Sequence, residues 1–184
     1  MVLKDKRKET PFATRDNMLD IWDKATELSF RGFGKKPRKM PKTPKNASQW
    51  SQKSLDKWRE NEELKLQQAE RFDLMFISQE TKVVDNLCRT IVYKIDAGNS
   101  FTPQYLCEWN EQRIYQNEAI SACNNLKREL NHIGSVLPCN KNFIAQLCGE
   151  IDKELDLLHR WKKSTTPNRK KIIEKSIERK RKIA

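Results

Sequence analysis

Glycine and histidine are scarce in this chain of 184 residues, which contains five Gly and two His. A Cys/His zinc site needs ligand pairs at short spacing, and the sequence has no C-x-x-C pair. The Gly-rich loops that bind phosphates and the G-x-S-x-G turn of serine hydrolases are also absent from it. We therefore expect a protein without catalytic activity, bound metal or cofactor.

Long apolar runs are missing as well. No stretch approaches the about 18 apolar residues of a membrane-spanning helix, and the N-terminus, MVLKDKRKETPF, lacks the apolar region of a secretory signal. The sequence therefore predicts a cytoplasmic protein that makes no membrane contact. Cysteines in that compartment stay reduced, and we expect the five of them to be mostly buried as small apolar side chains. They are Cys88, Cys107, Cys123, Cys139 and Cys148.

The abundant residue types favour helices. The chain is 34% charged and 36% hydrophobic, and neither Pro nor Gly occurs from residue 47 to residue 97. This composition predicts an all-α protein. We expect an antiparallel helical bundle of about four helices at residues 48–164, with a basic N-terminal arm at residues 1–47 and a basic tail or short helix at residues 165–184.

Residues 140–163 carry the clearest helical pattern. Asn140 lies where an N-cap belongs, and six apolar side chains recur at steps of three and four residues, so they share one stripe. They are Ile144, Leu147, Ile151, Leu155, Leu158 and Trp161. We expect this stripe, with the Trp161 ring, to be buried against other helices. Four acidic residues of the same segment are expected to lie on solvated faces: Glu150, Asp152, Glu154 and Asp156.

Two more helices are predicted before this one in the N-terminal half. Residues 1–13 are expected to be disordered, and residues 15–29 to form a short helix with Trp22 at the centre of its apolar face. Trp22 either docks this helix on the core, which we favour, or binds a partner protein. A single helix over residues 48–97 would be about 75 Å long, which is long for a compact domain. The sequence leaves two alternatives here: one such helix, or two helices with a break near residues 67–80.

The remaining helix boundaries follow from helix-stopping residues. Gly98 or its neighbour is expected to end a helix in the left-handed conformation, and Pro103 to start the next helix, over about residues 103–133. Residues 164–168, which include a proline, are expected to interrupt the helix that starts after Asn140. Residues 168–182 could then form a separate basic helix.

Positive charge is concentrated at the two ends of the chain. The formal net charge is +12; residues 1–50 hold 13 Lys and Arg against 6 Asp and Glu, and residues 162–184 hold 10 against 2. Basic ends suit a nucleic acid, because cations release counterions from phosphates. Residues 31–47, with three prolines, would form an extended basic linker in which Phe33 can stack on a base; the alternative is a merely solvated linker. The predicted phosphate-binding residues are Arg31, Lys35, Lys36, Arg38, Lys39, Lys42, Lys45, Lys162, Lys163, Arg169, Lys170, Lys171, Lys175, Arg179, Lys180, Arg181 and Lys182.

The last two thirds of the chain show a pattern of helix ends and apolar residues that is similar to that of a known protein family. Residues 95–100 (IDAGNS) end one helix, a second long helix turns at Pro138, and an Ile/Leu/Trp stripe with basic residues after it closes the pattern. Over roughly residues 70–165 this resembles the accessory variability determinant (Avd-like) proteins of diversity-generating retroelements. The resemblance implies a basic four-helix bundle that assembles into rings and binds nucleic acid and a reverse transcriptase. The N-terminal helix and the Pro/Lys linker have no counterpart in that family.

We therefore expect a nucleic-acid-binding accessory subunit, with RNA favoured over DNA as its ligand. Its protein partner would be a polymerase, such as a reverse transcriptase, or another ribonucleoprotein subunit, and the chain would form homo-oligomers. The alternatives are a small helical subunit of a CRISPR-type ribonucleoprotein and a structural protein of a virus or phage whose ends are merely basic. Weakening of nucleic-acid binding by salt separates the binding subunits from the structural protein.

Overall fold

The computed structural model describes the backbone of residues 6–183 and, within them, the side chains of residues 13–179 and of Arg181. The described chain forms four α-helices and two short 3₁₀ helices, Gly32–Gly34 and Lys45–Gln49. Within it the only β-type pairing is an isolated bridge between Lys35 and Cys139. The expected all-α helical bundle is therefore confirmed. None of the described helices is long and apolar enough to cross a membrane. The helices are α1 (Lys6–Phe30), α2 (Gln52–Asn99), α3 (Leu106–Val136) and α4 (Lys141–Ile183).

Helix α1 begins at Lys6, nine residues before the predicted start. Part of the segment expected to be disordered is thus helical, and residues 1–5 lie outside the described chain. Met18 and Ile21 are buried in the core, and the indole Nε1 of Trp22 donates a hydrogen bond to Asp85 of α2 at 2.9 Å. Trp22 therefore acts as the docking anchor that we favoured for this residue.

Helix α2 is a single helix of 48 residues, so of the two alternatives left by the sequence the uninterrupted helix is the observed one, and there is no break near residues 67–80. Its length is about 70 Å. The hydroxyl of Ser51 caps its start by accepting the N–H of Ser54. The first half is largely exposed, whereas Val84, Cys88 and Ile91 of the second half are buried. Since residues 52–97 contain no helix breaker, the helix continues past the point where its packing against the bundle ends.

Gly98 lies inside the last turn of α2 and does not take the predicted left-handed conformation. A Cβ atom at this position would lie 2.9 Å from Cη2 of Trp161 and 3.2 Å from Cβ of Tyr115. The glycine is therefore needed for close helix packing and not for a turn. The left-handed residues of the described chain are instead Gly32, Phe33 and Gly34.

Helix α3 begins at Leu106, three residues after the predicted start at Pro103. The carboxylate of Glu108 accepts the backbone N–H groups of Gln104 at 2.7 Å and Tyr105 at 3.2 Å. These bonds satisfy donors that the first turn leaves free. Lys94 of α2 pairs with Glu118, near the middle of α3, at 2.9 Å.

Helix α4 runs through Pro167 without interruption, so the predicted break at residues 164–168 is wrong. A proline inside a helix removes one backbone hydrogen bond and crowds the preceding turn. Side chains of α3 stabilise this stretch: Arg113 donates to the carbonyl oxygen of Lys162 at 2.7 Å, and the indole of Trp109 donates to that of Thr165 at 3.1 Å. The basic C-terminal segment is therefore a continuous extension of the core helix.

The apolar stripe of α4 packs as the sequence predicts. Five of its six members are buried, Leu155 is half-buried against the core, and the Trp161 side chain is only 1% exposed. Asn140 accepts the N–H of Asn142 at 3.2 Å, as expected of an N-cap. This stripe therefore forms the centre of the bundle.

Glu154 corrects one expectation for α4, because it is fully buried instead of lying on a solvated face. Its Oε2 accepts a hydrogen bond from Asn17 of α1 at 2.8 Å, and its buried Oε1 has no hydrogen-bond partner. Burial, opposed in part by the Asn17 bond, raises the pKa of Glu154 to about 7 from its ordinary value of 4.5. A charged carboxylate at this place is therefore unfavourable.

Because of the buried carboxyl group of Glu154, we expect the free energy of unfolding to fall as the pH rises. Between pH 4.5 and about 7 the folded state holds a proton that the unfolded chain has released, so the stabilisation is complete below pH 4.5 and is lost as the pH rises through 7. We expect Glu154→Gln to unfold like the wild type near pH 5 and to be more stable by about 2–3 kcal/mol at pH 8. Urea denaturation at the two pH values measures this difference. Equal stability of the two proteins at pH 8 would contradict the burial of the Glu154 carboxyl group and its raised pKa.

Candidate nucleic-acid interface

Two of the predicted phosphate-binding residues in the linker are held by acidic residues of α2. The guanidinium of Arg38 binds both carboxylate oxygens of Asp73, at 2.7 and 2.8 Å, and the ammonium of Lys35 lies 2.5 Å from Glu70. Asp73 is fully buried, and its hydrogen bonds with Arg38 hold the pKa of that carboxyl below its ordinary value. The charges of Lys35 and Arg38 are therefore already paired with carboxylates, so we leave these two residues out of the phosphate contacts proposed below, and their binding of phosphates stays a prediction.

The linker itself is docked on the bundle. Phe33 is fully buried, so its ring is not accessible for the predicted base stacking. The N–H of Lys36 donates to the carbonyl of Pro138 at 2.7 Å, and Gly34 accepts the N–H of Asn140 at 3.2 Å. These bonds fasten the linker to the turn between α3 and α4.

The other basic residues of the linker are exposed to solvent. Arg31 forms an ion pair with Glu27, one turn earlier in the chain. In the described part of the chain no carboxylate lies within ion-pair distance of the remaining cations of this segment, which are Lys36, Lys39, Lys42 and Lys45. These four residues stay available for contact with a phosphate.

The C-terminal half of α4, residues 162–182, is called the basic arm below. Among its described side chains the only ion pair is a loose one between Lys170 and Glu174, at 3.9 Å. The side chains of Lys180 and Lys182 lie outside the described residues. The described cations of the arm are at least partly exposed to solvent: Lys162, Lys163, Arg169, Lys170, Lys171, Lys175, Arg179 and Arg181. The arm thus presents positive charge that is almost free of neutralising partners.

An aromatic face of α3 adjoins the basic arm, and the sequence reasoning missed it. The guanidinium groups of Arg113 and Arg169 lie 4.8 and 5.9 Å from the ring centre of Trp109, and that of Arg179 lies 5.8 Å from the ring centre of Tyr105. The step of four from Tyr105 to Trp109 to Arg113 was the available signal, because residues four apart share a helix face. Their meeting with the arm requires the pairing of α3 with α4.

Arg113 serves the fold at this junction. It donates hydrogen bonds to the carbonyl of Lys162, to the hydroxyl of Thr166 at 2.8 Å and to the amide oxygen of Gln116 at 3.1 Å. Burial lowers the pKa of its guanidinium from the ordinary value. Because the guanidinium of Arg113 is occupied by these bonds, we leave it out of the phosphate-binding set.

The two basic regions lie at opposite ends of α4. Lys35 bridges to Cys139, just before α4 begins, whereas the basic arm starts at Lys162, which is 21 residues into this helix. At 1.5 Å per residue the separation is about 30 Å. One short ligand segment therefore does not contact both regions of the same molecule at once.

A second polar cluster joins α2 and α3 away from the basic arm. Glu129 and His132 have the Glu-x-x-His spacing found in carboxylate-bridged metal sites of helical bundles, and the ring of His132 packs on Phe76 at 5.8 Å. Burial, together with the neighbouring Glu129, raises the pKa of Glu80. Within the described residues, however, no group of three or more His, Cys, Asp or Glu side chains is placed to hold a metal ion.

The cysteines are free thiols, as expected, and most of them are buried. Burial raises the pKa of the Cys88 thiol to about 12 and raises that of Cys123 as well. Such thiols are unreactive at neutral pH. Cys107 is the exposed exception, and Cys139 is half-buried.

No family model, curated protein or solved structure matches the chain.

Proposed function

We propose that this chain is a non-catalytic nucleic-acid-binding subunit that contacts phosphates through its basic arm. The observation that carries the proposal is the arm's unpaired charge on a continuous helix. Eight described cations extend along it, and only Lys170 has a carboxylate within 4 Å. A surface of this kind attracts a polyanion through counterion release. It positions a ligand by its phosphates and does not by itself read sequence.

The exposed lysines of the linker form a second, weaker contact region in this proposal. Because it lies about 30 Å from the arm along α4, it would contact a distant part of a long strand or another molecule. The resemblance to the Avd-like proteins implies a nucleic acid as the ligand, and we favour RNA over DNA.

Protein contacts belong to the proposal through the exposed half of α2. Leu64, Phe72, Leu74 and Met75 of this helix are each between 46% and 64% exposed. Apolar side chains grouped in this way are typical of surfaces that bind other proteins. A polymerase such as a reverse transcriptase, another ribonucleoprotein subunit, or further copies of this chain are the partners that we propose.

Salt dependence tests the phosphate contacts. If about five phosphates of a single strand are bound, raising the salt from 50 to 200 mM should weaken binding roughly 10²-fold. Fluorescence anisotropy with labelled RNA and DNA strands of the same sequence gives the affinity at each salt concentration. No binding to either strand, or an affinity independent of salt, would overturn the proposed function.

A matched pair of variants locates the contact. Replacing Lys170, Lys171 and Lys175 by Gln should lower the slope of the salt dependence by about 2. The control replaces Lys39, Lys42 and Lys45, which are also exposed, and it removes the same charge from the linker. A larger loss in the control variant would move the principal contact from the arm to the linker.

A further inference from the structure

Tyr105 is an exposed aromatic residue that the packing of the bundle does not require. It precedes α3 in an extended conformation (φ −123°, ψ 157°), and its backbone N–H is held by Glu108. The residue is 56% exposed, yet the guanidinium of Arg179 from the basic arm lies 5.8 Å from the ring centre. Tyr105 is therefore held beside the arm by its backbone while its ring remains open to solvent.

The aromatic face continues one turn further along α3. Trp109 is fixed in orientation by the bond from its indole to the carbonyl of Thr165, and Arg169 of the arm lies against its ring. The described chain provides no carboxylate within ion-pair distance of Arg169 or Arg179. A guanidinium that stacks on a ring keeps its N–H edge free to bind a phosphate. Rings and phosphate-binding groups thus alternate over a short distance.

We propose that the ligand of the basic arm is single-stranded nucleic acid, with a base stacked on Tyr105 and the adjoining phosphates bound by Arg169 and Arg179. This inference rests on the proposed function and adds the class of ligand to it. Base stacking on an aromatic ring requires an open base face, which a single strand offers and a duplex hides within its own stack. The bound strand uses the ring and the cations together, whereas a duplex uses the cations alone.

The test compares one 20-nucleotide RNA of unstructured sequence, single-stranded, with the duplex that it forms with its complement. Both probes are titrated at one salt concentration with wild-type protein and with Tyr105→Ala. Loss of one stacked base should weaken binding of the single strand about 5- to 150-fold. Binding of the duplex should change less than about twofold, since its contacts are phosphate contacts.

Two control variants separate stacking from structure. Tyr105→Phe keeps the ring and should bind the single strand like the wild type. Tyr93→Ala removes another tyrosine, which is 59% exposed. The ammonium of Lys94 lies 5.4 Å from the centre of its ring, but this cation is paired with Glu118. Tyr93→Ala should leave both affinities unchanged, and thermal unfolding by circular dichroism should show that all variants are folded.

The outcomes distinguish the two proposals. If wild-type protein binds neither probe, the proposed function fails and the stacking inference fails with it. If both probes bind but Tyr105→Ala alters neither affinity, or lowers both equally, only the stacking inference is overturned. A selective loss for the single strand, restored by Tyr105→Phe, supports it.

Discussion

Replacing Trp161 by alanine should lower the free energy of unfolding by about 3–5 kcal/mol. Trp161 has the largest of the fully buried side chains in the described part of the chain, and it packs where α2, α3 and α4 meet. Its removal leaves a cavity that the surrounding helices fill only in part. Urea denaturation of the variant and the wild type at the same pH measures the loss.

The control for Trp161 is Trp58→Ala. Trp58 lies on the exposed half of α2 and contacts Trp50 edge to face, with ring centres 6.4 Å apart. Its removal should cost about 1 kcal/mol or less. Equal losses for the two tryptophans would show that Trp161 is not buried as described.

Gly98 provides a second check on the same packing. Gly98→Ala should destabilise the wild type, because its Cβ would lie 2.9 Å from the Trp161 ring. In the Trp161→Ala background the contact with the ring is removed and the contact with Cβ of Tyr115 at 3.2 Å remains, so the same change should cost less. The double-mutant cycle reports this coupling, and strict additivity would mean that the two residues are not in contact.

Replacing Arg38 by alanine should also destabilise the fold, by about 3–4 kcal/mol, because it leaves the buried carboxylate of Asp73 without its bidentate partner. Lys35, at 3.7 Å from Asp73, compensates in part. Thermal and urea unfolding near pH 7 measure the loss. The stability difference between variant and wild type should shrink as the pH falls below 3.8, the ordinary pKa of the Asp73 carboxyl, since Arg38 stabilises only its charged form.

The control for Arg38 is Lys39→Ala, the exposed neighbour, which should stay within about 0.5 kcal/mol of the wild type. Nucleic-acid binding should survive in Arg38→Ala wherever the variant is folded. An Arg38→Ala variant of unchanged stability and weakened binding would instead restore this arginine to the phosphate-binding set that the sequence predicts.

The periodic core was predictable from sequence, whereas the ends of the helices were not. The stripe that ends at Trp161 is local information, because its spacing alone defines one face of α4. The sequence predicts a helix break at Pro167 and a helix end at Gly98, because proline usually interrupts helices and glycine often ends them. In the fold the helix around Pro167 is stabilised by hydrogen bonds from Trp109 and Arg113, more than 50 residues earlier. Gly98 is needed because the ring of Trp161 packs closely against it.

The candidate interface was predictable only in part for the same reason. Positive charge along the arm is visible in the sequence, but the neutralisation of Arg38 depends on Asp73, which lies 35 residues later in the chain. The proximity of Tyr105 to Arg179 depends on how α3 and α4 pack. Charge counts locate basic segments, while the partners of each cation follow from tertiary structure.

The continuity of α4 through Pro167 has an energetic consequence for any ligand of the basic arm. A basic tail that orders only on binding loses conformational entropy, and that loss is subtracted from its affinity. Here the backbone of the arm is already helical and joined to Trp161, so this loss has occurred during folding. Each phosphate contact then contributes more of its interaction energy to affinity, and the tightness of binding depends on the same hydrogen bonds that carry the helix past its proline.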